Sequence, residues 1–259
     1  MSEALLTQKP VSASVEKLLW FAGRFLHLIP ADARMRVPFG INRGRVWVRG
    51  AANAPEWLGI YEYAKQRALR RLVRPGENVC DIGANAGFYT LALSRIVGQT
   101  GNIIAFEPLP QNLRKLRRHL DLNKIDNVIV SPSALSDRVG SVAFEMGDSD
   151  FTGHIAADSR GNFEVPMTTL DQFIVEHAFA DPTFLKIDVE GAEGKVLAGA
   201  RELMARSHPT MLIAIHGDEA ARECFSILDR AGYEMNSLRG RKIDNVDAMP
   251  LEIIARHRG

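Results

Sequence analysis

The segment Val79-Cys80-Asp81-Ile82-Gly83-Ala84-Asn85-Ala86-Gly87-Phe88-Tyr89-Thr90 is where the architecture of this chain is most legible. An apolar run enters it, an acid stands near the end of that run, two glycines follow four residues apart, and a helical pattern leaves. A strand passing to a helix in this way cradles a nucleotide-like ligand. Gly83 permits the sharp turn, and Gly87 lets the helix begin close to strand and ligand. Asp81 reads as a hydrogen-bond acceptor at the strand tip, open to an amino or hydroxyl group.

Downstream, apolar runs alternate with helical patterns. Asn78 to Ile82, Asn102 to Phe106, Val128 to Val130, Thr183 to Ile187 and Thr210 to Ile215 read as buried strands. Ala86 to Val97, Pro110 to Asn123, Leu170 to His177, Ala192 to Ala205 and Asp218 to Ala231 read as helices. Such alternation predicts an α/β fold with a mostly parallel sheet covered on both faces. Tyr233 to Leu238 and Leu251 to Ala255 should close it as an antiparallel pair, with Val139 to Glu145 and Phe163 to Met167 as further antiparallel strands. Ligands of such sheets lie beyond the carboxyl ends of the strands. Asp81, Glu107, Asp188 and His216 all fall there.

Upstream, Val15, Leu18, Leu19, Ala22, Phe25, Leu26 and Ile29 recur at helical spacing, and Pro30 ends the pattern. That stripe is expected to pack on the main domain or on a second copy, giving a homodimer. Short strands broken by glycine follow from Arg34 to Gly50, and a helix leads from Trp57 to about Val73.

The 259 residues are 46% hydrophobic and 24% charged, so a substantial core is available and global disorder is not expected. Net charge is +1, which supports neither a nucleic-acid nor an anionic-membrane partner. Two cysteines, Cys80 and Cys224, give no disulfide framework, so a reducing, cytoplasmic setting is expected. Met1-Ser2-Glu3 carries no basic cluster and no small-residue cleavage site follows an apolar core, so no signal peptide is expected, and no run reaches the roughly 18 apolar residues of a membrane span.

The turn's ligand can be narrowed by charge. A dinucleotide fingerprint has glycine where Asn85 stands, and Asp81 would repel a diphosphate. Glu107 closes the second strand 24 positions after Gly83, where a carboxylate can accept both ribose hydroxyls of an adenosine. An adenosine carrying a sulfonium and an amino acid meets these constraints, namely S-adenosylmethionine.

Asp81 to Thr90, Phe106-Glu107-Pro108, Thr169-Leu170-Asp171 and Leu185-Lys186-Ile187-Asp188-Val189-Glu190-Gly191-Ala192-Glu193 resemble the FkbM family of S-adenosylmethionine-dependent methyltransferases. Trp57 to Glu62 and Val196 to Ala200 are also similar to its pattern. The resemblance covers roughly residues 40–217 and implies a Rossmann-like class I sheet of seven strands; the methyltransferase domain is expected over residues 51–259, with residues 1–50 as an extension. It implies O-methylation of a hydroxyl on a small molecule, a sugar or natural product. The family often carries a glutamate two residues before the histidine, where Ala214 stands here.

For the cofactor, the expected contacts are Asp81, Gly83, Asn85, Gly87, Phe88, Tyr89, Thr90, Glu107, Pro108, Ser133, Ala134 and Asp188. Asp188 and His216 are the candidate general bases, a role worth about 10²–10⁴-fold, with Lys186 beside them. Glu62, Glu190 and His154 are expected at the acceptor, His154 within a loop from Gly147. Metal-free base catalysis is the expectation. A divalent metal would instead use Asp188, His216 and Asp218 or Glu219. A nucleotide-dependent oxidoreductase and a non-catalytic binding protein are the competing readings.

Overall fold

The computed structural model describes residues 29–146, 153–155 and 163–259. The expected helix before Pro30, and with it the dimer stripe, lies outside the described residues.

Thirteen strands are described. β1 (Arg34–Arg36) and β2 (Val46–Val48) form an antiparallel pair. The main sheet contains β3 (Asn78–Ile82), β4 (Asn102–Phe106), β5 (Val128–Ser131), β10 (Phe184–Ile187), β11 (Thr210–Ala214), β12 (Tyr233–Ser237) and β13 (Glu252–His257). A smaller sheet holds β6 (Ala134–Leu135), β7 (Gly140–Met146), β8 (Gly153–Ile155) and β9 (Phe163–Thr168).

The main sheet runs β12-β13-β11-β10-β3-β4-β5, with β13 antiparallel to both neighbours. From β3 the chain winds outward through β4 to β5, then returns to the other side of β3 for β10 and β11. The crevice where such windings part is the ligand site of an open α/β sheet.

Burial explains the unbroken apolar runs. Cys80, Ile82, Ile104, Phe106, Leu185, Ile187, Met211 and Ile213 fill one face. Val79, Ile103, Ala105, Phe184 and Leu212 fill the other, following the two-residue side-chain period. Val37, Ile41, Trp47 and Val48 from the extension join that second cluster. The Asn42 amide donates to the Phe88 carbonyl at 2.8 Å, and the Val48 amide to His119 Nε2 at 3.0 Å.

Two expected helices are interrupted by glycine. The Trp57–Val73 pattern divides into Ala54–Leu58 and Tyr63–Leu72 at Gly59, where φ is +78° and a Cβ would lie 2.0 Å from the Phe39 carbonyl oxygen. Ala192–Ala205 divides into Glu193–Ala198 and Arg201–Ser207 because Gly199 lies against the Ser136 carbonyl. Asp171 then caps the second piece, accepting from the Glu202 and Leu203 amides at 2.9 and 2.8 Å. The segment expected as a loop to His154 instead carries β8, with His154 in register with Glu145.

Candidate active site

A cavity opens at the crevice between the two windings. Its floor is the Gly83–Ala86 turn, and its sides are Phe106–Leu109, Ser133–Leu135 and Asp188–Glu190. Trp47, Glu56, Tyr61, Phe88 and Tyr89 form the wall toward the extension.

The turn is built by close approach. At Gly83, φ is +78° and a Cβ would lie 1.9 Å from the Asp188 carbonyl oxygen, so only glycine fits. Asn85 takes φ +50°, a left-handed conformation asparagine tolerates, and its amide donates to Glu107 Oε2 at 2.7 Å. Glu107 Oε1 accepts from the Leu109 amide at 2.9 Å. Burial raises the Glu107 pKa, and these amide bonds, Asn112 and Lys186 partly offset it.

Among the expected cofactor contacts, Gly83, Asn85, Phe88, Tyr89, Glu107, Pro108, Ser133, Ala134 and Asp188 border the cavity. Asp81, Gly87 and Thr90 do not. Asp81 is the penultimate residue of β3, so its side chain enters a sheet face beneath the turn instead of leaving through the strand end. There it is fully buried, ion-paired to Lys186 at 3.1 Å, and accepts from Thr90 Oγ1 at 2.7 Å. Lys186 is its register partner on β10 and also donates to the Gly83 carbonyl at 2.7 Å. The pair therefore braces the turn from below. At Gly87 a Cβ would meet Leu116 Cδ1 at 2.6 Å, so that glycine serves packing between helices.

The polar end of the cavity is a dense charge network. Lys65, buried, pairs with Glu62 at 2.9 Å, Glu252 at 2.9 Å and Asp188 Oδ2 at 3.4 Å. Burial opposes its charge, but those three carboxylates raise its pKa well above the ordinary value. Tyr89 donates its hydroxyl to Glu62 at 2.5 Å, and Lys65 and Lys186 each stand about 5.5 Å from its ring. Burial works to raise the Asp188 pKa, yet Lys65, Lys186 and His216 together hold it below the ordinary range. His216 Nδ1 faces Glu193 Oε1 at 2.7 Å, and Nε2 stands 3.8 Å from Asp188 Oδ1 and 3.7 Å from Glu190 Oε2. The bond to Glu193 raises the His216 pKa against burial, with Glu190 and Asp188 adding to it.

Lys65, Glu193 and Glu252 are the residues of this end that sequence reasoning left out. Glu193 carries a signal, since it ends the Lys186–Glu193 motif, but a carboxylate in the first turn of a helix suits the dipole without any role at the site. Glu252 lies directly across from Ala214 in the β11–β13 register, so cross-strand pairing puts a carboxylate beside the position where the family resemblance calls for glutamate. Asp218 and Glu219, expected as metal ligands, are exposed at the start of the Asp218–Arg230 helix. Glu190 takes that place, with one ligand atom each from Asp188, Glu190 and His216 within 4.8 Å of one another. The side chain of His154 lies outside the described residues.

Sheet order and cavity together define a class I methyltransferase fold. Residues 81–235 match the Methyltransferase FkbM domain, and the chain belongs to that family. It is 25% identical over 170 residues to the hexuronic acid methyltransferase AglP of Haloferax volcanii, covering 64% of this chain and 69% of AglP. It is 28% identical over 193 residues to the 31-O-demethyl-FK506 methyltransferase FkbM of Streptomyces tacrolimicus, covering 62% and 74%. A solved FkbM methyltransferase of Methylobacillus flagellatus superimposes with a TM-score of 0.48 at 19% identity, over 79% of this chain and 55% of that one. The chain is a methyltransferase, which sets aside the oxidoreductase reading. Among the described residues no helix is long and apolar enough to cross a membrane.

Proposed function

We propose that this methyltransferase moves the methyl group of S-adenosylmethionine to a hydroxyl of a small molecule, a sugar or related natural product. The observation that carries this reading is the cavity itself, which runs from Glu107 and Ser133 to Asp188 and Glu190 across the strand tips. The adenosine fits the first end, with Glu107 toward the ribose, and the sulfonium points toward the second. Glu56 in the wall is buried with Oε2 unpartnered among the described residues, and the cofactor's α-ammonium suits it. The acceptor oxygen attacks the methyl carbon, the C–S bond breaks with its electron pair on sulfur, and the hydroxyl proton leaves at the Asp188–Glu190–His216 end. Alignment supplies much of the rate. Lys186, committed to Asp81 and Gly83, is a positioning residue. The names of AglP and FkbM, one acting on a hexuronic acid and one on a natural product, support the acceptor class.

Calorimetric titration tests the cofactor, and radiolabelled methyl transfer over uronic acids and macrolides tests the acceptor. Glu107→Ala should weaken S-adenosylmethionine binding at least tenfold, the worth of about 1.4 kcal/mol. Wild-type affinity in that variant overturns the assignment.

A further inference from the structure

We infer that Asp188, Glu190 and His216 hold a divalent cation, Mg²⁺ or Mn²⁺, at the acceptor end of the cavity. The inference rests on the proposed methyl transfer and names what occupies its polar end.

Three acceptor atoms face one another there. With Nδ1 of His216 bonded to the Glu193 carboxylate at 2.7 Å, the ring proton resides on Nδ1. In the neutral ring, the form a cation would bind, the lone pair of Nε2 points at Asp188 Oδ1, 3.8 Å away, and Glu190 Oε2, 3.7 Å away. These separations are too long for hydrogen bonds. They lie within the roughly 3–4 Å that separates neighbouring and opposite ligands of an ion held at about 2.1 Å. A cation resolves the mutual repulsion.

The surroundings are arranged for one. Lys65 and Lys186 approach Asp188 at Oδ2, leaving Oδ1 toward His216. Glu193 is fully buried, orients His216 through Oε1, and its Oε2 has no partner among the described residues. A buried carboxylate behind a histidine is the support that metal-ligating imidazoles use to fix tautomer and raise basicity. Two lysines stand among six carboxylates, from Glu62, Asp81, Asp188, Glu190, Glu193 and Glu252, so the network is strongly anionic without a further cation. The two carboxylates suit Mg²⁺ or Mn²⁺, and the imidazole, a ligand typical of transition metals, tips the set toward Mn²⁺. Glu190 is 47% exposed, leaving the outer side open to acceptor oxygens. A hydroxyl bound to the cation loses its proton to solvent more readily, and the resulting oxygen takes the methyl group as sulfur recovers its electron pair. This replaces metal-free base catalysis, because His216 becomes a ligand.

The test is Mn²⁺ titration of the full chain after EDTA treatment and desalting, with free Mn²⁺ read by electron paramagnetic resonance at pH 7.5. One Mn²⁺ should bind per chain, with Glu190→Gln and His216→Ala each weakening it about tenfold or more. Glu193→Gln should weaken it about 10–100-fold as a positioning residue. Glu190 is half-exposed, so its variant remains informative where the buried one fails to fold. Absence of stoichiometric uptake, or equal uptake by Glu190→Gln, overturns the inference. S-Adenosylmethionine titrated alongside separates the two ideas. Cofactor binding without Mn²⁺ uptake overturns the cation alone, and Mn²⁺ uptake without cofactor binding upholds the cation while overturning the methyl-transfer reading of the cavity.

Discussion

Glu56 should make this protein more stable when its charge is removed. Its side chain is 9% exposed in the cavity wall, and Oε2 has no partner among the described residues. Burial is the largest influence on its carboxyl, its own backbone hydrogen bond opposes it, and Glu62 reinforces it, raising the pKa from 4.5 to about 7. A folded pKa above the unfolded one means that the folded state keeps the proton the unfolded state has released. The associated stability is therefore fully present below about pH 4.5 and is lost as pH rises to about 7. At 1.36 kcal/mol per tenfold, the ionised carboxylate costs roughly 1 kcal/mol at pH 5 and roughly 3 kcal/mol at pH 8. Glu56→Gln preserves the shape without the charge, so its advantage in urea unfolding should grow by about 2 kcal/mol between these pH values. Two variants whose stabilities run parallel with pH would refute the reasoning, as would destabilisation by Gln at pH 8. With the cofactor placed as proposed, the same variant should bind S-adenosylmethionine about tenfold or more weakly at pH 8, because the α-ammonium would lose a charge-assisted hydrogen bond. Stability gained and affinity lost at one residue is the expected signature of a group kept for a ligand.

Asp81→Asn should destabilise the protein by about 3 kcal/mol, since it takes from buried Lys186 the nearer of its two carboxylates and leaves only Asp188 at 3.8 Å. Urea midpoints check this, and a wild-type midpoint would contradict the bracing role. Glu252→Ala should also destabilise by removing a carboxylate from Lys65, and adding Ala214→Glu should restore part of the loss through the same lysine. Coupling of about 0.5–3 kcal/mol in the double-mutant cycle is expected, and strict additivity would show that position 214 does not reach Lys65.

The sheet was readable because its strands are covered on both faces and so appear as unbroken apolar runs, and the closing antiparallel pair followed from the same pattern. Glu107, Ser133 and Ala134 were readable for a related reason, as they lie just past strand ends where the cavity opens. Asp81 marks the limit of that logic. One residue decides whether a strand-end side chain leaves through the tip or turns into a face, and a glycine-rich turn draws attention to the acid without revealing which it does. The helix breaks at Gly59 and Gly199 were invisible for a different reason, since each depends on a carbonyl from a distant segment.

Lys65 shows most clearly why the polar end resisted sequence reading. Only its pairing with Glu62, three residues earlier at the helix N-cap, is a local pattern. Its other partners come from positions 188 and 252, and a lysine is buried only when such partners assemble around it. Ala214 raises the same issue from the opposite side. Taken along the chain, an alanine where the family resemblance calls for glutamate suggests lost chemistry and a non-catalytic protein. Taken across the sheet, β13 runs antiparallel to β11 and brings Glu252 opposite Ala214, so the carboxylate is delivered by the neighbouring strand to the lysine that also holds Asp188. What the site requires is negative charge at a point in space, and the register between two strands allows either one to provide it.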